Sequence, residues 1–145
     1  MNGNESSGIM RFEDHFPDGM KEDEEHYTAI VFFDNMIRRD FLYILSMMRN
    51  GKSCMLCDSI GYNLPENEDE DCEWKYSGCI EVWEVCGSND HSFLLTFEKF
   101  VECLRIAAKI WINNNNVRSS FVIAGIEDNI NYIENHYKNY PSDRS

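Results

Sequence analysis

From Tyr27 onward the spacing of apolar residues alternates between a helical and a strand period, and that alternation restricts the chain to a mixed architecture. Ala29, Ile30, Phe32, Phe33, Met36 and Ile37 recur every three or four residues, which predicts a helix with one wide apolar face. Thr28 is its candidate N-cap, and Arg38 and Arg39 fall where cations suit the helix dipole. Asp40 then caps a second helix that buries Phe41, Leu42, Ile44, Leu45 and Met48 and stops at Asn50-Gly51. Residues 51–73 read as a long connection. Residues 74–86 switch to strict alternation, with Cys79, Glu81, Trp83 and Val85 on one face and Ile80, Val82, Glu84 and Cys86 on the other. A turn at 87–90 and a short strand at 92–96 complete a hairpin over 75–96. Thr96 caps a third helix with the stripe Phe97, Phe100, Val101, Leu104, Ala108 and Trp111. A fourth helix, about 120–138, aligns Ile123, Ile126, Ile130, Ile133 and Tyr137. The expected fold is α+β: four main helices packed on a small antiparallel β-sheet built around a hairpin. Residues 27–140 form that single domain. Residues 1–26 lack an apolar period and are expected to be a flexible acidic N-terminal arm.

Charge is distributed as unevenly as hydropathy. The formal net charge is −13. Residues 1–26 carry eight acids against Arg11 and Lys21. Residues 64–73 carry six, Glu66, Glu68, Asp69, Glu70, Asp71 and Glu73, with no base among them, and the remainder is close to neutral. Carboxylates crowded into one loop repel one another, so they suggest either a solvated loop or a basic partner. A pI near 4.6 argues against binding nucleic acid through its phosphates. No apolar run reaches a membrane span, and the N-terminus has neither the basic nor the apolar segment of a signal peptide, so the chain is expected to act in the cytoplasm without a membrane partner.

The chain has six cysteines. Cys54-x-x-Cys57 is the sharpest local pattern, half of a zinc site or a redox pair. Cys72, Cys79, Cys86 and His91 supply no second pair at ligand spacing, and no thioredoxin-like βαβ unit surrounds it, so free structural thiols are expected. The run Glu66 to Asp71 lacks the central glycine and flanking helices of a calcium loop. No nucleophile elbow, phosphate loop or zinc-protease motif occurs. Neither an enzymatic activity nor a cofactor is expected.

The segments VFFDNMIRRDF and LYILSMMRNG, an acidic connection containing proline, the strand YSGCIEVWE, the strand-to-helix run FLLTFEKFVECLRIAAKIWI and a polar last helix follow one another in a recognisable order. Over about residues 29–135 this layout resembles CdiI-type immunity proteins of bacterial contact-dependent growth inhibition systems that neutralise ribonuclease toxins. Tyr76 to Val82 and Phe97 to Phe100 stand where that family carries its strand and strand-to-helix signatures. The resemblance implies a non-enzymatic antitoxin that binds the C-terminal nuclease domain of a cognate toxin. The loop acids Glu66, Glu68, Asp69, Glu70, Asp71 and Glu73 would then meet the toxin's basic surface, with Tyr62 and Trp74 as aromatic anchors. A regulatory or adaptor module that docks another basic protein is the alternative from a different class. A metal or redox protein using Cys54 and Cys57 is a third.

Overall fold

The computed structural model describes residues 8–141. Four helices, α1 (His26–Arg38), α2 (Phe41–Arg49), α3 (Phe97–Asn114) and α4 (Ser120–Lys138), accompany four strands, β1 (Cys54–Cys57), β2 (Ile60–Asn63), β3 (Cys79–Cys86) and β4 (Asn89–Thr96). The fold is α+β, as the periodicity predicts. Of the expected N-caps only Thr96 acts, and Asp40 precedes α2 without a side-chain cap bond. Thr96 Oγ1 accepts the Lys99 N–H at the start of α3, and Ser119 Oγ accepts the Val122 N–H at the start of α4. α2 and α3 end alike. Past each end the chain turns through a left-handed residue, Gly51 (φ 72°) or Asn116 (φ 53°). The amides of that residue and of the next donate back to the Met48 and Met47 carbonyls in one case and to those of Asn113 and Ile112 in the other. Thr28, by contrast, is buried inside α1, which begins two residues earlier.

The sheet is larger than a hairpin. Its order is β1-β2-β3-β4 with every neighbour antiparallel. The segment read as a connection supplies the first two strands, which are only four residues each and too short for a periodicity to declare itself. β3 begins at Cys79 rather than at Trp74, after Gly78 at φ 78°. Ile60, Tyr62, Ile80, Val82 and Leu95 point to one face and are buried beneath the helices. Phe32 of α1 meets Tyr62 edge-on at 5.7 Å, and Phe33 contacts Phe100 of α3 at 5.7 Å.

Part of the expected arm packs into this core. Phe12, in a one-turn 3₁₀ helix (Phe12–His15), is fully buried and stacks on Phe33 at 5.1 Å. Phe16 is buried against Phe12 and His26, and Met20 is also buried. Asn114 fastens the segment to the end of α3. Its side chain accepts the Met10 N–H at 2.7 Å and donates to the Met10 carbonyl at 2.9 Å, while Asn113 donates to the Gly8 carbonyl. The boundary at residue 26 therefore does not hold for residues 8–26, and the first seven residues of the expected arm lie outside the described residues. The apolar i, i+4 series Phe12, Phe16, Met20 is the signal that acids on either side obscured.

Candidate protein-binding surface

The acidic loop is built rather than loose. Leu64 and Pro65 are buried, and Pro65–Asn67 makes one 3₁₀ turn. Asn67 staples this turn to the chain leaving α2. Its Oδ1 accepts the Ser53 N–H at 2.7 Å, and its Nδ2 donates to the Gly51 carbonyl at 3.0 Å. Beneath the loop lies Lys75, which is 6% exposed. Its Nζ donates to the carbonyls of Pro65 and Glu68 at 2.9 Å each. A buried ammonium is tolerated only with such acceptors and nearby negative charge. Lys75 supplies a cation to a loop whose own ten residues contain none.

The six loop acids divide between two tasks. Glu66 turns inward, accepting the Tyr137 hydroxyl at 2.9 Å and pairing with His136 at 3.1 Å, so it ties the loop to the end of α4. Glu68 is half-buried. Burial, reinforced by the neighbouring carboxylates of Glu81 and Asp69, pushes its carboxyl above the usual range. Asp69, Glu70, Asp71 and Glu73 are exposed, and Glu70 accepts the Tyr76 hydroxyl at 3.0 Å.

Of the two aromatic anchors, Trp74 is half-buried beside the loop, but Tyr62 is fully buried. Tyr62 belongs to β2 and faces α1, so the period of the strand sends it inward, where its hydroxyl donates to the Lys52 carbonyl at 2.6 Å. It cannot contact a partner. The sheet offers a different aromatic. On the face away from the helices, Trp83 opposes Gly61 across β2 and β3. A Cβ on Gly61 would stand 2.4 Å from Trp83 Cζ2, so the indole lies directly over the glycine. Val85, Leu94 and Met55 share this face and are 36%, 42% and 62% exposed. Glu81 and Asp90 share it too, and the four strands contain no lysine or arginine. Asn63, the last residue of β2, pairs with Glu81 and donates to its side chain at 2.7 Å, and the acidic loop begins at the next residue, so the loop leaves the sheet at the border of this face. The alternation of β3 separates these residues from the core side, yet only the four-stranded sheet and Gly61 make them one surface.

The cysteine pattern has no matching geometry. All four residues of Cys54-x-x-Cys57 lie along β1, with a register shift between Met55 and Cys57, rather than at the start of a helix as a redox pair requires. The six cysteines are free. A hydrogen bond from Ser59 lowers the Cys57 thiol, whereas burial pushes Cys103 up to about 12. Among the described residues no three His, Cys, Asp or Glu side chains converge in a way that could hold a metal ion, and no helix is long and apolar enough to cross a membrane. No family model, no curated protein and no solved structure matches the chain.

Proposed function

We propose that this chain is a non-enzymatic immunity protein that binds and neutralises a basic ribonuclease toxin domain in the cytoplasm. The observation that carries the reading is the cluster of outward carboxylates, Asp69, Glu70, Asp71 and Glu73, held by a structured loop beside a sheet whose strands contain no lysine or arginine. A ribonuclease must attract RNA phosphates, so its working surface is basic. A rigid acidic surface competes for it directly, and the opposed potentials accelerate encounter. The order of elements that resembles contact-dependent growth inhibition immunity proteins supports the same conclusion.

The test uses the C-terminal domain encoded by the gene that precedes this one. Co-expression is expected to give a stoichiometric complex, and the purified chain is expected to suppress RNA cleavage by that domain in proportion to the amount added. A complex that leaves cleavage untouched would favour an adaptor that docks a basic protein. Absence of a complex would remove the immunity reading.

A further inference from the structure

Resting on the reading above, we infer that the toxin docks on the uncovered face of the sheet, with Trp83 as the central anchor and the acidic loop as its rim. Exposed ion pairs each contribute about 0.2–1 kcal/mol, so loop carboxylates alone do not hold a partner tightly. Tight complexes depend on a few desolvated aromatic or apolar anchors surrounded by polar residues. Trp83 has those properties. It is half-buried on this face, it lies outside the set of side chains packed on the core, and the bare backbone of Gly61 gives its indole a flat seat. An indole positioned in advance loses little freedom on binding. Met55, Val85 and Leu94 extend an apolar surface around it, and contiguous exposed apolar area of this kind marks interaction sites.

Charge selects the occupant. Glu81 and Asp90 lie on the face itself and the acidic loop leaves β2 beside Glu81, while no strand carries a lysine or arginine. A phosphate-bearing partner, whether lipid or nucleic acid, would be repelled. A second copy seated through a two-fold contact would bring the same carboxylates against each other. A protein segment with an apolar tip flanked by lysine or arginine satisfies both halves of the surface.

The test is the kinetics of binding to the neighbouring gene's C-terminal domain by the full chain and three variants. Trp83→Ala is expected to speed dissociation about 30-fold or more, with association changed far less. Because Trp83 could also affect folding, a Met55→Lys/Leu94→Lys variant alters only exposed side chains. It is expected to keep the wild-type melting temperature and yet weaken the complex by at least about 10-fold. Conversely, Asp69→Asn/Asp71→Asn is expected to slow association and leave dissociation nearly unchanged. A wild-type complex whose dissociation is the same in the Trp83 and Met55/Leu94 variants would overturn this docking site and leave the immunity reading standing. Absence of any wild-type complex would remove both. Sedimentation showing a dimer of the wild-type chain that Leu94→Lys separates would place a second copy on the face and overturn the inference.

Discussion

Lys75 and Glu68 show how a loop of like charges is kept in shape. The Lys75 ammonium is held by two carbonyls of the loop, one of them that of Glu68 itself, and burial together with the charges of Glu81 and Asp69 disfavours the ionised Glu68 side chain. Its folded-state carboxyl sits above the ordinary value, so the folded protein binds that proton more tightly than the unfolded chain does. Stability from this group is therefore present at acidic pH and is lost as pH rises through the carboxylate range and its raised folded value. Glu68→Gln is expected to raise the melting temperature at pH 7 by about 1–3 °C, with the gain disappearing on acidification to below the ordinary glutamate range. Thermal melts at several pH values check this. A variant less stable than wild type at pH 7 would mean that ionised Glu68 is stabilising. None of this was legible in the sequence. Lys75 lies just outside the acidic run, and nothing in composition says that a lysine will be buried beneath it.

Among the elements, the four helices were legible because each is long enough for its apolar stripe to repeat, and their ends carry the expected caps at Thr96, Asn50-Gly51 and the asparagine run after α3. β1 and β2 were not, because each is only four residues long and is placed by its neighbour, β2 for β1 and β3 for β2, rather than by its own pattern. The N-terminal segment failed for another reason. Its three apolar residues are diluted by acids, and they acquire meaning only when α1 and α3 offer a surface to cover. Phe12 is buried against Phe33, so Phe12→Ala is expected to destabilise the fold by about 3–5 kcal/mol in urea denaturation. A loss below about 1 kcal/mol would show that the segment is only loosely docked.

At the scale of the whole molecule, a helical layer covers one face of a four-stranded sheet, and among the described residues the opposite face presents Met55, Val85 and Leu94 around Trp83, bordered by a loop with four outward acids. The acidity of that loop was evident from sequence. Its division into inward and outward carboxylates, the burial of Tyr62 and the placement of Trp83 on the face opposite the helices were not, since each depends on which way a strand or turn is facing. The central claim is that the outward carboxylates draw in a basic toxin. The most direct measurement is the association rate of the chain with the neighbouring gene's C-terminal domain by stopped flow, across a range of salt concentrations. It compares wild type with a variant carrying Asp69→Asn, Glu70→Gln, Asp71→Asn and Glu73→Gln together. The wild-type rate is expected to fall steeply with salt. The variant, with an unchanged fold, is expected to associate about 10-fold more slowly at low salt and to show a much flatter dependence. Equal rates and equal salt dependence for the two proteins would contradict it.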